Sequence, residues 1–356
     1  MSIASKKSSI DRRSAMVSDA RRIIGRAIET VQGREREQIC RGTMAGDMPD
    51  PQFRFNVQFV EHREPFPMHA HEYAELVFVL GGSALHRTDG EDFPINLGDV
   101  FVIKGAERHG FGDPRRLKLC NVMFDPESFF AGERDLECLM GFHALFDLEP
   151  QSRGGRGFRS RLRLSASELA ELQPLLVRMR TELEQRAEGW RTLIRGHFLV
   201  LVSALARLYA QQSQNAQAPI VNMANVVSHI QRTFRGPLRI EELAKIAHLS
   251  PSQFRRNFKR TYQVTPVQFI NELRVHEACE LLRRPQAEIK RIAAETGFAS
   301  SSFFATQFKR ITGLSPSEYR RRHVSGLSER EPVGGNGFRQ PRLSPAAVAG
   351  QKRQTR

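Results

Sequence analysis

Three potential ligands lie close together in the sequence: His69, His71 and Glu75. All three stand at odd positions, so on a β-strand they would project from the same face. Imidazole nitrogens together with a carboxylate suit a divalent metal ion, and the same groups hydrogen-bond polar small molecules. The sequence contains no recognisable nucleophile–base pair and no phosphate-binding loop. The pattern therefore indicates binding rather than catalysis.

The residues on either side of these ligands predict short β-strands. Phenylalanine and valine alternate with polar residues from Phe53 to Phe59. An apolar run, Leu76–Leu80, ends at Gly81-Gly82, and Val100–Ile103 is a second apolar run. Asp89-Gly90 between the two runs marks a hairpin. Regularly spaced short strands of this kind predict a sandwich or barrel over the region that ends near residue 124.

Two amphipathic helices are predicted next. Leucine and methionine recur at alternating intervals of three and four between Leu169 and Leu183, and a wider apolar face runs from Trp190 to Leu208. The first stripe is either a dimer seam or a surface that packs on the strands, and two heptads are too short to decide. Gln211–Pro219, rich in Gln, Ala, Ser and Asn, predicts an interdomain linker.

A helix-turn-helix pattern then occurs twice, in Ile240–Arg260 and again in Ile289–Arg310. The apolar positions of the first helix repeat at an offset of 49 residues, and those of the second helix at an offset of 50. The second turn is therefore one residue longer. A repeat that survives such a slip is a repeated fold and not an accident of composition.

The second helix of each copy has two inward phenylalanines at i and i+4, Phe254/Phe258 and Phe304/Phe308. The remaining positions then face outward, as a recognition helix in the major groove requires. An N-cap role is the alternative for the serines that begin these helices. The predicted DNA-binding residues are Ser250, Ser252, Gln253, Arg255, Arg256, Lys259, Arg260, Ser300, Ser301, Ser302, Phe303, Ala305, Thr306, Lys309 and Arg310.

These repeats and the segment between them resemble the AraC/XylS family of bacterial transcription regulators. The resemblance covers residues 221–322 and includes a bridging helix in Thr265–Leu282 and the run Gly313–Arg320. It implies two helix-turn-helix units on one rigid helix, reading successive major-groove segments. It also favours a homodimer through the helical region. The departure is Thr306, where the family commonly has a basic residue. We therefore expect Arg255 and Arg256 to carry most of the base recognition.

The strand region resembles the cupin motif, in which Gly98 and His109 match the second half. A cupin barrel would bring His109 to His69, His71 and Glu75. Arg63, Lys104, Ala106 and Asp113 replace the usual Gly, Pro, Gly and Asn of that motif. Direct metal binding, a polar effector pocket and a purely structural cluster all stay open.

A looser resemblance points to the L-rhamnose-responsive branch of the family. It is carried by the runs His71–Val77, Glu107–His109 and Leu119–Val122.

Charge is concentrated where the DNA-binding residues lie. The chain has a formal net charge of +15, and residues 222–323 carry 18 Lys and Arg against 8 Asp and Glu. Residues 51–221 carry 20 against 22. A basic module beside a near-neutral one indicates a nucleic-acid partner for the basic part. Four cysteines without metal-type spacing and the absence of an 18-residue apolar run predict a cytoplasmic protein with no membrane span.

The sequence thus predicts an α+β multidomain chain. The predicted parts are a mobile extension (1–50), a cupin-like β-barrel (51–135), a helical dimerisation region (136–212), a linker (213–220), an all-α double helix-turn-helix domain (221–323) and a disordered tail (324–356).

The function predicted from these parts is a ligand-responsive DNA-binding regulator without enzymatic activity. Its expected partners are operator DNA, a sugar or organic acid, a second copy of the chain and, in an activator, RNA polymerase. No cofactor is firmly predicted, and the one candidate is a divalent metal in the cupin-like barrel, held by His69, His71, Glu75 and His109. The alternatives are a metal-dependent cupin enzyme that also binds DNA, and a constitutive DNA-binding protein whose barrel only dimerises.

Overall fold

The computed structural model describes residues 41–42, 44–152, 162–213, 219–284 and 288–324. The chain forms two compact units, Met1–Ala216 and Gln217–Arg356. The predicted linker core (214–218), most of the predicted extension (1–40) and the tail from 325 onward lie outside the described residues.

The first unit is built on an eight-stranded sheet in which all pairings are antiparallel except that of its first strand with β3. The order along the sheet is β1-β3-β7-β4-β6-β8, with β2 on β7 and β5 on β4. The strands are β1 Arg41–Gly42, β2 Phe55–His62, β3 Phe66–His71, β4 Ala74–Thr88, β5 Phe93–Asn96, β6 Asp99–Ile103, β7 His109–Phe124 and β8 Leu162–Arg163. Their inward side chains form a core of Val, Ile, Leu and Phe.

Strand β7 organises the site, because it pairs with β2, β3 and β4. Its first residue, His109, pairs with His69 on β3 and with Thr88 on β4. Glu75, near the start of β4, pairs with Met123 at the other end of β7. The long strands β4 and β7 must therefore curve for Glu75 and His109 to approach each other, and three register shifts in their pairing supply that curvature.

The boundary predicted at residue 50 differs from the structure. Strand β1 pairs in parallel with β3, and a short helix, α1 (Met44–Asp47), follows it. The Tyr73 hydroxyl donates to Asp47 at 3.0 Å, and Arg191 Nε donates to Asp50 at 3.1 Å. Residues 41–42 and 44–50 are thus part of the first unit, because β1 pairs with β3, Asp47 and Asp50 bond to later residues of the unit, and Met48 is buried against Tyr73 and Met123.

Helices complete the first unit. They are α2 Pro126–Phe130, α3 Arg134–Glu137, α4 Met140–Phe142, a π-helix His143–Leu148, α5 Glu149–Ser152, α6 Ala166–Gln185 and α7 Trp190–Gln212. Between the last short helix and α6, β8 joins the edge strand β6. The barrel therefore takes a strand from the region predicted to be only helical, and Arg163 on that strand pairs with Asp99 at 2.9 Å.

The Leu169–Leu183 stripe lies inside the first unit. Leu172, Leu176, Met179 and Leu183 on α6 are buried within the single chain. Arg180 on the same helix donates to the carbonyl of Val57 on β2 at 2.9 Å. The stripe therefore packs inside the first unit, as the second interpretation of the sequence predicts. The predicted dimer seam along this stripe is wrong.

Helix α7 is the one described helix whose length and composition would allow it to cross a membrane. Its inward residues are used in the core instead: the Phe198 ring lies 5.3 Å from that of Phe55 and 4.8 Å from that of Phe124. Its last residue, Gln212, exchanges two hydrogen bonds with the backbone of Arg163, at 2.9 and 3.3 Å. Helix α7 is thus a core helix of the first unit.

The second unit is all-helical in its described residues. Its helices are α8 Pro219–Thr233, α9 Ile240–Ile246, α10 Pro251–Tyr262, α11 Pro266–Leu282, α12 Ile289–Glu295, α13 Ser301–Thr312 and α14 Pro316–Val324. Helix α11 packs on helices of both repeats: its residues Phe269 and Val275 contact or share a core with Phe258 and Phe308, respectively. The predicted double helix-turn-helix and bridging helix are therefore present.

Candidate effector site and nucleic-acid interface

Three of the four predicted ligands converge in the barrel. The Glu75 carboxylate lies 3.6 Å from Nε2 of His71 and 3.6 Å from Nε2 of His109. All three side chains are buried, and their ligand atoms lie within 4.8 Å of one another. Two imidazoles and one carboxylate at such spacing form a group that can hold a divalent cation or the polar part of a small molecule.

The histidines share one hydrogen-bonding arrangement. Nδ1 of His71 donates to the Tyr73 carbonyl at 2.7 Å, Nδ1 of His109 to Glu107 at 3.3 Å and Nδ1 of His69 to Pro67 at 3.1 Å. With Nδ1 protonated, a neutral imidazole presents the lone pair of Nε2. Backbone carbonyls orient metal-binding histidines in the same way. The Nε2 atom of His71 is buried and has no hydrogen-bond partner, so the group fits a bound cation.

His69 lies beside this group but is not part of it. Its ring centroid is 4.1 Å from that of His109, and it is only half-buried. His69 therefore stands next to the ligand group, where it contacts Phe66 as well. It can contact a bound molecule without being a member of the converging triad.

The electrostatics separate the two histidines of the triad. Burial lowers the pKa of His109 well below its ordinary value, and the neighbouring His69, His86 and His71 lower it further. Burial also opposes the charged form of His71, but the Glu75 carboxylate outweighs it and raises the pKa of His71. One imidazole is thus kept neutral while the other is held as the partner of a carboxylate.

Sequence reasoning missed two histidines near the site. The His86 ring lies 5.7 Å from that of His109, and the His62 ring lies 4.9 Å from that of Phe66 and 5.5 Å from that of Phe111. Burial lowers the pKa of His62 to about 4. Both are isolated in the sequence. Their neighbours are brought close by strand pairing, of β2 with β7 for His62 and of β4 with β7 for His86, which no local sequence pattern records.

Two of the four substituted positions of the cupin motif, Ala106 and Lys104, make identifiable local contacts. Ala106 stands where the motif has glycine, and it keeps a left-handed backbone with φ of 68°. Its amide donates to the His71 carbonyl at 2.7 Å, so this strained turn positions His71. Lys104, in place of proline, lies 3.6 Å from Asp147 of the π-helix.

We expect Ala106→Gly to stabilise the first unit by about 0.5–1 kcal/mol. A left-handed conformation costs an alanine about 1–2 kcal/mol, and the larger unfolded-state entropy of glycine offsets part of that gain. Urea unfolding of the full chain would measure it. Ala84→Gly, in strand β4, is the control and should destabilise; a loss of stability in both variants would contradict the strain at residue 106.

The predicted recognition helices present the expected faces. On α10, Phe254 and Phe258 are buried, whereas Arg255, Arg256, Lys259 and Arg260 are exposed. Arg255 Nη2 lies 3.9 Å from Glu241 of α9. On α13, Phe304 and Phe308 are buried, and Ser301, Ser302, Phe303, Thr306, Lys309 and Arg310 are exposed, with Ala305 half-buried.

Three of the predicted DNA-binding residues are occupied in capping. Ser250 accepts from the Gln253 amide at 3.3 Å, and the Gln253 side chain accepts from the Ser250 amide and hydroxyl. Ser300 accepts from the Phe303 amide at 3.2 Å. These are N-cap interactions. The side chains of Ser250, Gln253 and Ser300 thus start helices, and the outward residues that follow them form the candidate interface.

Comparison with known proteins agrees with both units. A cupin domain model matches residues 56–120, and a helix-turn-helix domain model matches residues 243–322. The "HTH-type transcriptional activator RhaR" of Mannheimia succiniciproducens is 26% identical over 74% of this chain and 90% of its own length. The "HTH-type transcriptional activator RhaS" of Escherichia fergusonii is 28% identical over 75% and 93%.

Solved structures are also similar to parts of this chain. An AraC-type transcriptional regulator from Chromobacterium violaceum is 25% identical, covering 30% of this chain and 94% of its own, with a TM-score of 0.28.

The cupin barrel and the double helix-turn-helix unit define a DNA-binding transcription regulator and not an enzyme. Within that class, the chain is similar to the transcriptional activators RhaR and RhaS, and the matched helix-turn-helix residues lie in the region that resembles the AraC/XylS family. The fold class and the function predicted from the sequence are confirmed at this level.

Proposed function

We propose that the chain is an effector-responsive transcription activator of the cytoplasm that works as a homodimer. The two curated relatives are named transcriptional activators and align with it over about three quarters of its length. In this proposal the second unit binds promoter DNA and contacts RNA polymerase. The barrel of the first unit binds a sugar or organic acid.

The observation that carries the effector proposal is the buried triad of His71, Glu75 and His109. Burying a carboxylate and two imidazoles in an apolar barrel is unfavourable unless their polar atoms are satisfied. Partners from the backbone satisfy only the Nδ1 atoms. The two Nε2 atoms each lie 3.6 Å from the carboxylate, and that of His71 has no partner within hydrogen-bond distance, so a ligand that bridges these atoms would stabilise the unit.

A divalent cation fits this arrangement. His71 Nε2, His109 Nε2 and one Glu75 oxygen would hold it, and the cation would supply Lewis-acid coordination to an oxygen of the effector. The chain's own residues orient the two rings through the carbonyls of Tyr73 and Glu107. His69 and Phe66, which lie beside the triad, would contact the rest of the bound molecule.

We expect His109→Ala to remove the response of the barrel to metal while DNA binding is retained. The test is a melting curve of the chelator-treated full chain with Zn²⁺ or Mn²⁺ added. A ligand at 100 times its dissociation constant stabilises a protein by about 2.7 kcal/mol. The melting temperature of the unsubstituted protein should rise with metal, and that of His109→Ala should not.

His197→Ala is the matched control, since His197 lies on α7 and its charged neighbours are Arg178 and Glu182 of α6. It should respond as the unsubstituted protein does. An equal rise in all three proteins would show that metal binds elsewhere. A rise in none, together with stabilisation by a sugar or organic acid alone, would leave a metal-free effector pocket. No response to any ligand would favour the constitutive alternative.

A further inference from the structure

The outward face of the second recognition helix, α13, carries an uncharged patch at the position where α10 has an exposed arginine. Phe303 is 46% exposed, although it is a large aromatic side chain. Thr306 is exposed one turn later. Residues three apart lie side by side on a helix, so Phe303 and Thr306 form one patch. The corresponding position on α10 is Arg256, which is exposed.

The hydroxyl of Thr306 is already engaged within its own helix. It donates to the carbonyl of Ser302 at 3.0 Å. A threonine held in this way uses its donor locally and leaves the γ-methyl group as the part without a hydrogen-bonding role. The hydroxyl of Ser300, at the start of the helix, is likewise used to accept from the Phe303 amide. The Thr306 hydroxyl is therefore not free to donate a hydrogen bond to a base.

Thymine is the base that such a surface recognises. In the major groove it alone presents a methyl group, and the methyl of threonine and the ring of phenylalanine are side-chain groups that contact it. Guanine and adenine are recognised by bidentate donors or acceptors, and the Phe303–Thr306 patch provides none. The basic residues of α13, Lys309 and Arg310, stand in its last turn, where they suit phosphate contacts.

We infer that the second helix-turn-helix unit selects thymine by its 5-methyl group, through the Phe303 ring and the Thr306 methyl. The first unit selects guanine through its arginines. The inference rests on DNA binding by the second unit and is independent of the effector proposal. An operator for this protein then has two dissimilar half-sites, one with guanine and one with thymine at the central contacts.

Two substitutions at residue 306 separate methyl from hydroxyl recognition. Thr306→Val keeps the methyl and removes the hydroxyl, and Thr306→Ser does the opposite. DNA duplexes that bind the full chain are first selected from a random library. The half-site at which Arg256→Ala changes the base preference is then assigned to α10. On the selected duplex we expect Thr306→Val to bind within twofold of the unsubstituted protein. Thr306→Ser should bind about fourfold more weakly, because one buried methyl is lost.

The DNA offers the complementary change. Replacing thymine by uracil in the DNA removes only the 5-methyl group and should weaken binding about fourfold at the α13 contacts. In the α10 half-site the same replacement should have no effect, and Thr306→Ser should lose less affinity than the unsubstituted protein when the thymine methyl is removed, because only the Phe303 contact to it remains. Weak binding by Thr306→Val with normal binding by Thr306→Ser would overturn the inference in favour of hydroxyl recognition. So would a selected α13 half-site that contains no preferred thymine.

Discussion

Met179→Glu is expected to unfold the first unit, with a loss of about 5 kcal/mol in its free energy of unfolding. Met179 is fully buried on α6. The substitution removes its packing, which is worth about 2–5 kcal/mol, and places a carboxylate among apolar side chains without a partner. A typical domain has only about 5–15 kcal/mol of stability. Urea unfolding of the full chain, followed by circular dichroism, measures the loss.

Val200→Glu is the matched control for this prediction. Val200 lies on the neighbouring helix α7 and is 57% exposed, so the same new charge can remain in water. We expect its stability to change by about 0.5 kcal/mol or less. If Met179→Glu instead gave a stable monomer from a dimer, as judged by sedimentation, the buried position of the α6 stripe would be contradicted and the dimer seam restored.

Arg256→Ala is expected to weaken binding to the selected duplex by about 1–3 kcal/mol, with little effect on random DNA. Arg256 is exposed on α10 between the buried Phe254 and Phe258. A bidentate contact from such an arginine to guanine is worth about this much discrimination. Fluorescence anisotropy with selected and random duplexes, at two salt concentrations, separates base contact from phosphate contact.

Lys259→Ala serves as the comparison. It stands on the same helix, in the last turn, and a phosphate contact there should weaken both duplexes equally and reduce the salt dependence. An Arg256→Ala variant that behaves like Lys259→Ala would show that Arg256 contacts phosphate only. A preserved affinity for the selected duplex would remove it from the interface altogether.

The second unit could be predicted from sequence because its signal is local. The spacing of Phe254 and Phe258, repeated in Phe304 and Phe308, determines which helix face is buried, and the structure buries all four rings. The roles of the serines could not be separated in this way. A serine before a helix has the same spacing whether it caps or contacts DNA, and only the bonds from Ser250 and Ser300 to the amides of the first turn show capping.

The barrel site could be predicted in part. His71, Glu75 and His109 converge as the motif implied, but His86 did not stand out, because its even position places it opposite Glu75 in a regular strand. The register shifts along β4 between Val79 and Leu85 change that alternation. Such shifts depend on pairing with β7, a contact between residues distant in sequence, and no local pattern records them.

The two hydrogen bonds between Gln212 and Arg163 determine where the chain leaves the first unit. Gln212 ends α7, and Arg163 pairs with Asp99 at the start of β6. The other end of β6, Ile103, pairs with Glu75. A single five-residue strand thus connects the carboxylate of the binding site to the residue from which the chain continues toward the DNA-binding unit. A shift of β6 along its axis would displace that exit point and would move the buried side chains of β6 in the hydrophobic core with it.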